Sequence, residues 1–156
     1  MAPAIALKVR DEHGLALAGQ LLFYPVLDYR CVTPSMYKNA DAPVWTGKNC
    51  RDMWRQYLNL TPAEMSATQV SYYASPAMAS DLTGLPATYI SRCEFDPLCD
   101  EAEVFAKRLS DAGIQVESVF HASTVHGFDL LLPIALSRQA IAMGVAAARS
   151  FIDIDT

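Results

Sequence analysis

A strand–helix–strand pattern between residues 88 and 121 constrains the fold of this chain more than any other stretch. Thr88–Phe95 is rich in β-branched and aromatic side chains and is followed by Asp96-Pro97, which predicts a strand that ends there. A second strand is predicted over residues 114–121, on the alternation of its side chains. Strands joined by a helical crossover pair in parallel, and the crossover is right-handed. The segment therefore predicts a parallel α/β sheet.

The helix between these two strands carries its own sequence signals. Asp100, with Glu103 three residues later, has the pattern of an N-cap with a capping box, and Gly113 is placed to end the helix. Apolar residues recur at helical spacing between them: Ala102, Phe105, Ala106, Leu109 and Ala112. This spacing predicts one face packed on the sheet.

The rest of the chain predicts three further parts. A helix is expected from Pro3 to about residue 10, a buried strand over Gln20–Val26 and a last helix from about Ser137. We predict an α/β fragment of three layers, with a mostly parallel sheet of about three strands, forming a single domain over residues 1–156.

Residues 29–70 differ in composition from the segments that are predicted to form the core. Three prolines interrupt them, and two tryptophans stand among polar residues. Thr46 is placed to cap a helix over residues 48–60, and Thr61-Pro62 to cap another. We predict a lid-like helical insertion that walls a pocket over the carboxyl edge of the sheet. A long structured connection with buried tryptophans is an equal alternative.

Composition excludes several classes of protein. A formal charge of −5 in 156 residues, with no basic run, argues against nucleic-acid binding. The sequence shows neither a signal peptide nor an apolar run long enough for a membrane helix. Its four cysteines have no zinc-like spacing, so reduced thiols in a cytoplasmic protein are expected.

Asp96 and His126 are the candidate catalytic residues. Each follows a predicted strand by a few residues, and neighbouring parallel strands lie about 4.8 Å apart. Open α/β sheets place their chemistry at this carboxyl edge. A carboxylate that binds one ring nitrogen of a histidine leaves the other nitrogen free as a base. The pair supplies two members of a catalytic triad.

Other polar residues have simpler explanations. A metal site built from His126 and the carboxylates of residues 96–103 is disfavoured, because helix capping accounts for Asp100 and Glu103 and places Glu101 on a solvated face. No metal and no cofactor is predicted. Cys93 and Cys99 are taken as small buried side chains. His13 is expected at the surface and His121 as the last residue of its strand.

Several catalytic motifs are absent from the sequence. None of the serines lies in a Gly-x-Ser-x-Gly pattern, and no glycine-rich turn follows a strand. The first absence leaves no recognisable nucleophile, and the second removes a phosphate-binding loop.

Five blocks resemble the hormone-sensitive-lipase-like esterases of the α/β-hydrolase fold. They follow one another in the order of that family: Tyr24–Asp28, Tyr73–Pro76, Leu85–Ile90, Phe95–Glu101 and His126–Phe128. The resemblance covers nearly the whole chain but only the second half of the family's domain. It implies that Asp96 is the triad acid, His126 the triad base, and a small carboxylic ester the substrate.

The sequence departs from that family in one large respect. The family's serine elbow and its His-Gly-Gly oxyanion loop both precede the segment that appears here as the first helix, and neither is present. We therefore expect a fragment that starts just after the nucleophile and is inactive alone. The alternative is a non-catalytic module that self-associates through an exposed strand edge or a terminal helix. A complete flavin- or nucleotide-binding domain is disfavoured by the absent glycine-rich loop.

Overall fold

Three parallel strands form a sheet in the order β1-β2-β3. They are β1 (Gln20–Phe23), β2 (Thr88–Phe95) and β3 (Val116–Val125) in the computed structural model, which describes residues 2–131 and 133–152. Gln20 pairs with Thr88 and Thr88 pairs with Val116, so the three strands start in line. The predicted α/β class, with a parallel sheet of three strands and flanking helices, is confirmed.

Six helices surround or extend this sheet. They are α1 (Ala2–His13), α2 (Pro34–Lys38), α3 (Gly47–Leu58), α4 (Pro62–Ala67), α5 (Cys99–Asp111) and α6 (Ala135–Ile152). Short 3-10 turns lie at Pro76–Met78 and Phe128–Leu130. Helices α2, α3 and α4 all lie between β1 and β2 in the sequence, within the predicted insertion. None of the helices in the described ranges is long and apolar enough to cross a membrane.

Two buried clusters hold the main parts together. The larger joins α1 and α5 to the sheet through side chains that include Leu7, Ile90 and Phe105. The second lies in the insertion, where Met36 and Trp54 pack with Leu98 at the start of α5. Burial of such side chains stabilises the fold by roughly 1.5–3 kcal/mol each. The insertion is therefore packed onto the element that follows β2.

The strand β3 is longer than the sequence indicates. Its pairing with β2 shifts after Cys93, and Ser123 adopts a positive φ of 58°. The backbone N–H of Ser123 donates to Glu94 Oε2 at 2.7 Å, which stabilises the irregularity. The strand thus resumes pairing and runs to Val125, four residues past the predicted end at His121. The prediction that His121 ends the strand is wrong.

The helix α5 begins earlier than predicted and without a capping box. Its first residue is Cys99, and the residue before it, Leu98, makes no side-chain cap. Asp100 lies inside the first turn, where its carboxylate accepts from the backbone N–H of Ser35 at 2.6 Å. Glu103 instead pairs with Arg92, at 3.3 Å. The capping prediction is wrong because a residue of α2 provides the partner for Asp100.

The strand β1 is shorter than predicted. It ends at Phe23 rather than Val26, because Tyr24 turns the chain with a positive φ of 36° and Pro25 follows. This turn directs the residues after β1 across the carboxyl edge of the sheet.

Candidate active site

Asp96 and His126 meet at the carboxyl edge of the sheet. Asp96 is the first residue after β2, and His126 is the first residue after β3. His126 Nδ1 lies 2.8 Å from Asp96 Oδ2. The other carboxylate oxygen, Oδ1, accepts from the backbone N–H of Leu98 at 2.9 Å. The structure brings together the two residues that the sequence predicted would meet.

The surroundings of this pair define which ring nitrogen carries the proton. The Asp96 side chain is 1% exposed and that of His126 is 20% exposed. The hydrogen-bond network assigns the proton to Nδ1, because an ionised carboxylate can only accept. Among the described residues, no hydrogen-bond partner reaches Nε2. That nitrogen is therefore available as a base, and a developing imidazolium would face a buried carboxylate.

Gly127 lets the chain leave the site sharply. Its φ of 71° places it in the left-handed region, where glycine carries no steric penalty. The short 3-10 turn then starts at Phe128, and its buried ring packs under the site beside Cys93. In the His-Gly-Phe block, Gly127 thus allows the turn after His126, and Phe128 packs beneath it.

Two aromatic rings contact the imidazole of His126. The ring of Trp45 is stacked on it, with centroids 5.4 Å apart and an interplanar angle of 23°. The ring of Tyr24 lies 4.5 Å away, tilted by 55°. The Tyr24 hydroxyl donates to Asp129 Oδ1 at 2.5 Å, and burial together with this bond raises the pKa of Tyr24. The imidazole of His126 is therefore held by ring contacts as well as by Asp96.

The loop that carries Asp96 is fastened to α2. The side-chain amide of Asn39 donates to the carbonyl oxygens of Glu94 and Asp96, at 3.0 and 3.1 Å. The Ser35 hydroxyl donates to the carbonyl oxygen of Pro97 at 2.7 Å. These bonds join the insertion to the backbone on both sides of the candidate acid.

Glu101 is buried, which overturns its predicted place on a solvated face. It is 3% exposed, and its Oε1 accepts from the backbone N–H of Leu27 at 2.7 Å. Burial raises the pKa of Glu101 to about 8, although the Leu27 N–H acts in the opposite direction. The carboxylate thus links α5 to the segment that follows β1.

The other candidate residues lie in apolar surroundings. Cys93 and Cys99 are buried free thiols, and burial raises the pKa of both, that of Cys93 to about 12. His121 is 6% exposed and packs on the ring of Phe128, and burial lowers its pKa. The side chain of His13 lies outside the described part of the structure.

Sequence reasoning missed three residues around the pair: Tyr24, Asn39 and Trp45. Trp45 gave a weak signal as a large aromatic side chain in a polar segment, and Tyr24 lies in one of the blocks that carry the family resemblance. Asn39 gave none, since its partners lie 55 and 57 residues away.

A parallel sheet with a carboxylate–imidazole pair at its carboxyl edge is typical of the α/β-hydrolase class. A sequence profile described as "alpha/beta hydrolase fold" matches residues 1–130. The chain belongs to this family.

Two relatives of this chain are named as esterases. Carboxylesterase NlhH of Mycobacterium tuberculosis is 32% identical over 145 residues, which cover 90% of this chain and 44% of that protein. Esterase LipI of the same species is 35% identical over 134 residues, or 82% of this chain and 39% of the relative.

Solved esterase structures share the fold. A bacterial heroin esterase superposes with a TM-score of 0.90 at 39% identity, over 96% of this chain and 47% of that one. Esterase LipW from Mycobacterium marinum superposes with a TM-score of 0.84 at 36% identity, over 96% of this chain and 46% of that one. The chain spans less than half the length of the relatives it matches.

Proposed function

We propose that this chain carries the acid and the base of a serine-type carboxylic ester hydrolase. The observation that supports this most directly is the 2.8 Å contact between His126 Nδ1 and Asp96 Oδ2, made by a carboxylate that is almost fully buried. The proposed attacking serine lies outside these 156 residues, since no serine in them has the elbow pattern.

Each residue of the pair has one proposed role. In the complete enzyme, the serine hydroxyl attacks the ester carbonyl while His126 Nε2 takes its proton. The imidazolium then gives that proton to the leaving alcohol, and an acyl-enzyme remains. Water, activated by the same nitrogen, releases the acid. Asp96 stays ionised throughout and holds His126 in the required tautomer.

The insertion supplies a surface for the acyl group in this proposal. Met53, Trp54 and Tyr57 of the insertion line an apolar cavity of about 240 Å³, together with Ala4 of α1 and Val26. This size fits a short or medium acyl chain. We also propose a cytoplasmic location, on the basis of four buried cysteines that are free thiols.

Hydrolysis of a short-chain p-nitrophenyl ester tests this proposal. The chain alone is expected to show no activity above that of His126→Ala. Joined to the amino-terminal half of an esterase relative, it should hydrolyse the ester, and Asp96→Asn should then lower kcat by about 10⁴-fold.

Two results would contradict the proposal. Activity of the chain alone that a serine-directed phosphonate blocks would reveal a nucleophile within it. A folded, active hybrid that is insensitive to Asp96→Asn and His126→Ala would remove the pair from catalysis.

A second candidate function is self-association without catalysis. The strand β1 lies at the edge of the sheet and pairs only with β2 among the described strands. Beside it, Ile5 and Leu17 face Phe151 across an open apolar cavity of about 390 Å³. An exposed edge with an adjacent apolar groove favours strand addition by another chain.

A further inference from the structure

The structure assigns to Asn39 and Trp45 the positioning of the Asp96–His126 pair. Both belong to the insertion between β1 and β2, and neither is given this role by the sequence pattern. The assignment rests on the proposed function, since it concerns the same acid and base. It makes this part of the insertion a support of the catalytic pair.

Asn39 fixes the backbone around the acid. Its two amide N–H groups donate to the carbonyl oxygens of Glu94 and Asp96, which bracket the end of β2. Asn39 is 8% exposed, so water cannot easily replace these bonds. Loss of this buried donor removes the side-chain partner of the Glu94 carbonyl and leaves the Asp96 carbonyl with only the 3.2 Å bond from the Cys99 N–H. The loop that aims the Asp96 carboxylate would then be free to shift.

Trp45 fixes the plane of the base. Its indole N–H donates to the buried Cys50 Sγ at 2.9 Å, which anchors the ring while its face is stacked on His126. Tyr24 provides a second ring contact and is itself anchored to Asp129. Rotation of the imidazole away from Asp96 would lose both ring contacts.

The backbone next to Trp45 supports a specific orientation of its ring. Val44 has a φ of +71°, a conformation that β-branched residues rarely adopt. Val44 is 70% exposed, so the packing of its own side chain does not offset this strain. Strain of this kind persists where the surrounding structure over-determines a position. Here the Trp45 N–H donates to the Pro43 carbonyl oxygen at 2.9 Å across Val44, and the ring contacts of Trp45 hold the residue that follows the turn.

The tautomer of His126 in the 156-residue chain tests this inference. Nitrogen-15 NMR of the imidazole distinguishes the Nδ1–H form from the Nε2–H form. The native chain is expected to show the Nδ1–H form. In Asn39→Ala and Trp45→Leu the Nε2–H form should appear, and Trp45→Leu should also shift the ring protons downfield by removing the stacked indole.

Two control variants separate positioning from general stability. Trp54→Leu removes a buried tryptophan of the same cluster that packs on Tyr57, and Leu82→Ala creates a cavity in the main core. Both should lower Tm and leave the tautomer unchanged. If Asn39→Ala and Trp45→Leu also lower Tm and leave the tautomer unchanged, the positioning role is overturned.

The rate at which diethyl pyrocarbonate modifies His126 gives an independent readout. Peptide mass spectrometry separates this residue from the two other histidines. We expect several-fold faster modification in Asn39→Ala and Trp45→Leu than in the native chain. Equal rates in all folded variants would contradict the inference. Neither measurement depends on ester hydrolysis, so a failure of the proposed function would appear separately.

Discussion

Glu101 has one carboxylate oxygen that is hydrogen-bonded and one that is not. Oε1 accepts from the Leu27 N–H, whereas Oε2 is buried without a partner among the described residues. An ionised group in such a place carries an uncompensated desolvation cost, and this cost is why the pKa of Glu101 rises to about 8. The folded chain therefore binds a proton at Glu101 more tightly than the unfolded chain does.

Substituting Glu101→Gln should change how stability depends on pH. A carboxyl group with a raised folded-state pKa contributes fully below its ordinary pKa, and the contribution is lost as pH rises toward 8. The free energy of unfolding of the native chain should fall relative to that of Glu101→Gln by up to about 1.4 kcal/mol per pH unit between pH 5 and 8. Urea unfolding at several pH values measures this difference.

The exposed Glu103 offers a matched control. Its side chain is 59% exposed, so the free energy of unfolding of Glu103→Gln should depend on pH as that of the native chain does across the same range. If the difference in free energy of unfolding between the native chain and Glu101→Gln stays constant from pH 5 to 8, Glu101 is not protonated in the folded state.

The residues of the site divide by how far apart their partners lie in the sequence. Asp96 and His126 could be predicted, because each lies at or a few residues beyond the predicted end of a strand of one βαβ unit. Asn39 and Trp45 could not, because their contacts with the loop and the ring depend on how the insertion packs across the sheet. Glu101 was misassigned for the same reason, since α5 packs against the segment after β1.

At the scale of elements, α6 packs on β1 and on the residue before it at two glycines, Gly144 and Gly19. A Cβ on Gly19 would lie 2.2 Å from the ring of Phe151 and 2.8 Å from its Cβ. A Cβ on Gly144 would lie 2.8 Å from the far end of the Phe23 ring. The first contact involves the rigid base of a side chain, and the second only its tip.

Alanine at these two positions should therefore have unequal effects. Gly19→Ala should destabilise the chain by about 1–3 kcal/mol, the usual cost of overpacking. Gly144→Ala should cost less, because the ring of Phe23 is 37% exposed and can swing aside. Thermal unfolding of both variants checks this order. Equal losses would mean that α6 moves as a rigid body instead of adjusting locally.

Element boundaries were predicted well where neighbouring residues in the sequence set them. They were predicted poorly where contacts with distant residues set them. The bounds of β2 agree with the sequence, since a proline follows Asp96. The end of β3 differs because the bond from Ser123 N–H to the Glu94 carboxylate preserves pairing beyond a left-handed residue. No pattern within β3 itself indicates that partner.

At the scale of the whole molecule, the open edge of β1 determines the expected state in solution. Gln20 and Tyr24 donate their N–H groups to the β2 side, at 2.9 and 2.7 Å. Alternate residues of a parallel strand face opposite neighbours, so the N–H groups of Leu21 and Phe23 point toward the open edge. These groups are available to another strand.

We expect the chain to be a dimer or larger oligomer in solution. We expect Leu21→Pro to lower the mass of that assembly. Proline removes an N–H group that faces the open edge and leaves the bonds to β2 in place. Analytical ultracentrifugation of the native chain, Leu21→Pro and the control Leu21→Ala measures the change. A native chain that sediments as a monomer would exclude association through this edge.

The site also bears on how the chain folds. Asp96 and His126 are separated by 30 residues, whereas Asn39 and Asp96 are separated by 57. Doubling a loop adds only about 0.6 kcal/mol to the entropy cost of closing it. Closure entropy therefore gives the contact between Asp96 and His126 little advantage over the contact between Asn39 and the Asp96 loop. The βαβ unit and the residues of α2 are expected to become ordered as one cooperative unit, so the imidazole is not oriented before the insertion has docked.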